Sequence, residues 1–148
     1  MPEFNVYPES RVWFYNEESQ LRVQMKPTDF LRLVGEMTPE SFRDNPAYSQ
    51  EAYDSVRGAL ERGEPIGDPL FLDVNVDTGE VIEHEGRHRA LAAQDLGISR
   101  VPVVLFAKRR NTGRDRYNLA RYVFVPADEL RGVTLHPRDL RFVKVGPF

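Results

Sequence analysis

Residues 83–89 read Glu-His-Glu-Gly-Arg-His-Arg, a run of ionisable side chains broken by a single glycine. The letters before it, EVIEH, alternate as a strand does, and those after it, RHRALAAQDL, have helical spacing. A strand-to-helix turn leaves free backbone N–H groups whose dipole favours an anion. Gly86 lets the backbone turn sharply and approach a ligand closely. Arg87 and Arg89 can supply charged donors to phosphate oxygens, and His88 a further donor or a proton-transfer group. If there is catalysis, Glu85 is the natural acid, placed to hold a metal ion or to take a proton from an attacking hydroxyl, with His88 beside it. Alternation along the strand puts Glu83 and Glu85 on one face and His84 on the other. For those flanking residues we expect a packed His84 and a solvated Glu83. Arg87 and Arg89 lie two apart on a helix that turns about 100° per residue, so they cannot point the same way. One should face the ligand while the other pairs with Glu85 or solvent.

The same letters contain a rival. His84-Glu-Gly-Arg-His88 fits the H-E-x-x-H pattern of zinc proteases, in which two histidines one turn apart bind the metal and the glutamate activates water. That pattern needs one continuous helix. Gly79 closes a turn five residues before His84, GEVIE reads as a strand, and Gly86 inside a helix would cost about 1 kcal/mol. We therefore expect no zinc site, with His136 the one remaining histidine, in the loop-like LHPRD.

The elements that position the run follow from pattern and caps. RVWFY and LRVQM around the polar NEESQ suggest two strands and a turn. Thr28 and Asp29 can open a short helix at FLRLV, Thr38-Pro39-Glu40 is a second helix start, and Asn45-Pro46 breaks it. Ser49 then caps a longer helix with Ala52, Tyr53, Val56, Ala59 and Leu60 on one face, ended at Gly63. PLFLDVNV is a strand, Asp77-Thr78-Gly79 a turn, and residues 80–84 the returning strand. A helix over 87–96 and a strand over 101–106 complete the centre, the run VVLFA being apolar enough to lie buried on both faces. YVFVP reads as a strand, PADEL as a turn or short helix, and LRFVKV as a last strand. The class is α+β, a single domain over 1–148 with a mixed sheet and flanking helices.

The string GEVIEHEGRHRALAAQDLGISRVPVVLF resembles the core of the ParB/sulfiredoxin superfamily. The shared features are Gly86, the pair His88-Arg89 opening a helix, Ala90 to Ala93, Leu96-Gly97, and Val101-Pro102-Val103. The likeness extends upstream through SVRGALERGEPIGDPLFLDV and covers residues 55–107 best, with MKPTDFLRLV a fainter echo of the entry segment. It implies a ParB-like domain with a nucleotide or phosphate pocket at Gly86, Arg87, His88 and Arg89, the ligand being ATP, ADP or CTP, accompanied by Mg2+ if phosphoryl groups move. It favours Arg89 as the ligand arginine, because that position recurs in both the "HR" and "RR" versions of the box. Departures narrow the activity. Sulfiredoxins carry a catalytic cysteine where this chain has Arg87, and this chain has no cysteine. Partitioning ParB proteins have Gly-Glu-Arg-Arg, and 148 residues leave no room for their helix-turn-helix and dimerisation segments. The box is nearer the "DGxHR" variety found in free-serine kinases, with Glu85 for the aspartate. Phosphotransferase, NTPase, nuclease and plain binding protein all remain open at this point.

Composition bounds the rest. With 41% apolar and 29% charged residues the chain is an ordinary globular one, and no apolar run approaches membrane-spanning length. The start MPEFNVYPES has neither a basic nor an apolar signal region, so a cytoplasmic protein is expected. The net charge of −3 conceals a split: residues 1–86 hold 18 acidic and 7 basic side chains, residues 87–148 hold 13 basic and 5 acidic. Either the halves neutralise each other across the fold, or one face is basic. Lys108, Arg109, Arg110, Arg114, Arg116 and Arg121, interleaved with Tyr117 and Tyr122, would suit DNA or RNA, with phosphates on the cations and bases on the rings. The cluster would equally suit a cover over a bound nucleotide.

Overall fold

The computed structural model describes residues 3–36, 38–113, 120–138 and 144–148. Its elements are β1 (Gln20–Met25), α1 (Pro27–Leu33), α2 (Pro39–Arg43), α3 (Gln50–Glu61), β2 (Leu70–Asn75), β3 (Val81–Glu85), α4 (Arg87–Asp95), β4 (Val101–Arg110) and β5 (Tyr122–Phe124). The sheet runs β1-β4-β2-β3, with β5 pairing the far end of β4. The β2–β4 pair is parallel and the other pairings are antiparallel, so the class is α+β with a mixed sheet.

Local chemistry sets the helix starts. Thr38 accepts the Ser41 N–H and Ser41 returns the bond to Thr38, a reciprocal cap at α2. Ser49 accepts the Ala52 N–H at 3.2 Å to open α3. Leu70, Leu72 and Val74 of β2 alternate onto the same face as Val103, Leu105 and Ala107 of β4, and this face is sealed by α1, α3 and α4. Strand β4 is buried on both sides from Val101 to Ala107, as its apolar run anticipates. The other face carries Phe71, Asp73, Phe106 and Lys108 and is covered only in part.

The N-terminal segment departs from the expected strand pair. LRVQM belongs to β1, but Arg11–Trp13 is a 3₁₀ turn capped by the Ser10 hydroxyl. Arg22 of β1 donates to the Trp13 carbonyl at 2.8 Å, and the Tyr15 ring meets Phe106 and Phe124 edge-on. Val12 and Tyr15 of RVWFY thus lie against the sheet's second face instead of pairing at its edge, while Phe14 is exposed. The strand expected at LRFVKV falls largely outside the described residues; Val145 bridges Leu135.

The β3–α4 turn has no room for a side chain. Gly86 sits at φ +125°, and a Cβ there would lie 2.5 Å from Cγ of Leu70. Gly63 also has positive φ, at +70°, but faces open space. Gly86→Ala should therefore cost about 2–4 kcal/mol, from backbone strain plus overpacking, and Gly63→Ala only about 1. Urea unfolding of both variants measures the difference; equal midpoints would show that the Leu70 contact is dispensable.

Candidate functional site

Strand β3 ends at Glu85, Gly86 turns the chain, and α4 starts at Arg87 with no side chain capping its first N–H groups. The H-E-x-x-H letters are split accordingly: His84 lies on a strand, His88 on a helix, and a left-handed glycine lies between them. His136 is 3.0 Å from the Thr78 carbonyl through Nε2 and 3.0 Å from the Pro137 carbonyl through Nδ1. Among the described residues no three metal-ligating side chains converge.

Each basic residue of the run reaches a different segment. Arg87 donates to Glu36 at 3.3 Å, and its guanidinium lies 4.9 Å above the Phe42 ring. Glu36 is buried and also accepts from Ser41 at 3.0 Å and Asn45 at 2.9 Å. His88 accepts the Ser49 N–H through Nε2 at 2.9 Å, which puts the proton of the neutral ring on Nδ1. Its ring stacks on Tyr48 and takes Phe42 edge-on. Arg89 is mostly buried and donates through one nitrogen to the carbonyls of Asp68 and, at 3.0 Å, Pro69. Burial holds its pKa below the usual guanidinium value, against the opposing charges of Glu85 and Asp68. Neither arginine pairs with Glu85.

The carboxylates lie elsewhere. Glu83 and Glu85 oppose Asp73 and Phe71 in the β2–β3 ladder, which turns both toward the sheet's second face. His84, opposite Leu72, is on the helix side as alternation requires. It lines a cleft of about 440 Å³ with Val34, Gly35 and Arg138, so it is less enclosed than a packed core histidine. Glu85 and His88, the two candidates for proton transfer, are joined by no hydrogen bond among the described residues.

The basic stretch begins inside β4, which runs on to Arg110 instead of ending at 106, and two of its cations are neutralised. Lys108 pairs with Asp73 at 2.9 Å, and Arg109 with Asp77 at 3.1 Å and with Glu129. Arg138 pairs with Glu80 at 3.1 Å. These ion pairs, with Arg87–Glu36, join the acidic first half to the basic second half. Arg110 and Arg121 are exposed, while Arg114 and Arg116 lie outside the described residues. The sequence reading missed Glu36 and the Ser49 N–H as partners of the run, because nothing local marks contacts 51 and 39 residues away.

Set against family models, curated proteins and solved structures, the chain matches none.

Both histidines of the run have depressed pKa values, each chiefly through burial and secondly through the charge of Arg87. The unfolded chain then takes up more protons than the folded one as pH falls through the ordinary histidine range. Their contribution to stability is full above about pH 6.5 and is lost below it, toward the folded pKa values. Urea midpoints should fall between about pH 7.5 and 5.5, and less steeply in His88→Gln. A wild-type midpoint flat over that window would contradict the assignment.

Proposed function

We propose that this is a phosphate-binding domain of the ParB/sulfiredoxin type, taking a nucleotide at the start of α4. The observation that carries the reading is an uncapped helix N-terminus following Gly86, with a partly exposed arginine in its first turn. First-turn N–H groups left without a side-chain cap favour an anion. Arg87 holds Glu36 only at 3.3 Å and keeps 23% of its side chain exposed, so its guanidinium is available to a phosphate. The resemblance supplies the ligand class, ATP, ADP or CTP.

Within this reading the roles of the arginines are exchanged relative to the expectation from the family box. One nitrogen of Arg89 is committed to two backbone carbonyls, which ties the side chain to the entry to β2, and we take Arg87 as the ligand arginine. The backbone N–H groups of Arg87 and His88 complete the cradle, and His88 fixes its shape through Ser49. If the bound nucleotide reacts, by transfer or hydrolysis with Mg2+ present, Glu85 is the nearest exposed acid in the chain. A nucleic-acid surface draws less support, because Lys108 and Arg109 spend their charge on Asp73, Asp77 and Glu129.

Calorimetry against ATP, ADP, CTP and GTP, with and without magnesium, tests the proposal. Arg87→Ala should weaken the preferred nucleotide by about 1.5–3 kcal/mol with native circular dichroism. Arg89→Ala should instead lower the urea midpoint, by about 1–3 kcal/mol for two carbonyls left unpaired. Undiminished affinity in Arg87→Ala would place the phosphate elsewhere.

A further inference from the structure

The sheet's second face carries a pocket on the side away from α4. Phe71, Phe106 and Phe124 line it, and the N-terminal turns wall it with Val12 and Tyr15. The cavity measures about 320 Å³. Its rings form a continuous edge-to-face array: Phe106 lies 5.9 Å from Phe71, 5.9 Å from Phe124 and 5.8 Å from Tyr15, centroid to centroid. Tyr15 is 58% exposed, so the array ends in a ring that is open to solvent.

The charges around these rings cancel. Buried Asp73 lies 2.9 Å from the Lys108 ammonium, which itself stands 4.6 Å above the Phe124 ring. Glu83 and Arg11 are both exposed and opposite in sign, and neither has an ion pair among the described residues. Glu83 also borders a neighbouring cleft with Arg121 and Arg138. A ligand with a net charge of either sign would therefore gain one partner and meet one like charge. An aliphatic ligand would cover the rings without continuing their edge-to-face contacts. An uncharged aromatic molecule suffers neither defect.

Two lining groups can bond such a molecule. Lys108 has three N–H donors and one carboxylate partner among the described residues. Glu83 stands opposite Asp73 in the β2–β3 ladder and accepts no hydrogen bond among the described residues. An ammonium and a free carboxylate thus flank the same aspartate. One hydroxyl oxygen can serve both, accepting from the cation and donating to the acid. The chain holds a phenol in this way elsewhere: Tyr53 donates to Asp95 and accepts from Arg57 at 2.9 Å. We infer that this pocket binds a small uncharged phenol, its ring set among Tyr15, Phe71 and Phe106 and its hydroxyl between Lys108 and Glu83. The cavity is at the small end for ligand pockets, which suits a molecule of one ring. Because it lies across the sheet from α4, the assignment is independent of the phosphate reading.

The probe is p-cresol, titrated into the full chain and followed by amide chemical shifts. It should give saturable shifts centred on Phe71, Asp73 and Phe106 within about 10 mM. Its methyl ether, which keeps the ring and the acceptor but has no donor, should bind at least about fivefold more weakly. Its ring-saturated alcohol, which keeps the hydroxyl but has no aromatic ring, should weaken by a similar factor. Glu83→Ala and Tyr15→Ala, both at exposed positions, should each weaken p-cresol by about fivefold with native circular dichroism. No saturation, equal binding of either analogue, or full affinity in either variant would overturn the assignment. So would tighter binding of benzylammonium or benzoate, which carry a net charge, or of N-acetyltyrosinamide, which would give the pocket to a tyrosine of a partner chain.

Discussion

At Gly86 the backbone passes so close to Leu70 that a single methyl group would collide with its side chain, and this approach governs the arrangement around it. Because β3 can turn there within one residue, α4 starts directly over β2 and lies on the helix face of the sheet. The next three residues then radiate from one point at about 100° intervals. Arg87 reaches Glu36 after α1, His88 reaches Ser49 at the start of α3, and Arg89 reaches the carbonyls that lead into β2. One consecutive triplet thus fastens three loops far apart in the chain. The positive-φ glycine is the condition for all three contacts, since a longer turn would displace α4 and with it the angular spread.

The triplet also explains how a conspicuously charged motif can be read two ways. Basic residues at a helix start suit an anion, yet two of the three have their donors or acceptors occupied by the protein. A histidine that accepts a backbone N–H must stay neutral, and an arginine with one nitrogen on two carbonyls is held toward the entry to β2. What remains for a phosphate is the backbone of the first turn and the one arginine held by a long bond to a carboxylate. Such a site is small and is shaped by the groups that do not touch the ligand.

Legibility in the sequence tracks how local each cause is. The strand, turn, helix and strand that begin at Val81 could be read because a change of period and a glycine announce them, but the end of β4 could not, since its last residues, Lys108 to Arg110, read as a polar stretch beyond 106. The starts of α2 and α3 could be read because their caps lie within three residues. The 3₁₀ turn at Arg11–Trp13 could not, because the composition of RVWFY suits a strand and only the rings of β4 and β5 give it another use. The partners of Arg87 and Arg89 were equally hidden: a sequence shows that two arginines diverge, and the fold alone shows toward what.

The charge split has the same origin. Two halves of opposite sign are brought together by a parallel crossover, β2 beside β4, with β3 and α4 between them in the chain. Acids of β2 and its turn thereby meet cations of β4: Asp73 with Lys108, Asp77 with Arg109. Exposed pairs of this kind contribute little individually, but Asp73 is buried, and a buried carboxylate without its ammonium would be costly. Lys108 is therefore needed where it stands, which leaves Glu83, across the β2–β3 ladder, and Arg11, in the N-terminal turn, as charges on that face without an ion pair among the described residues. Pairing driven by the fold's own electrostatics has taken up Lys108 and Arg109 of the basic cluster, while Arg110 and Arg121 stay exposed.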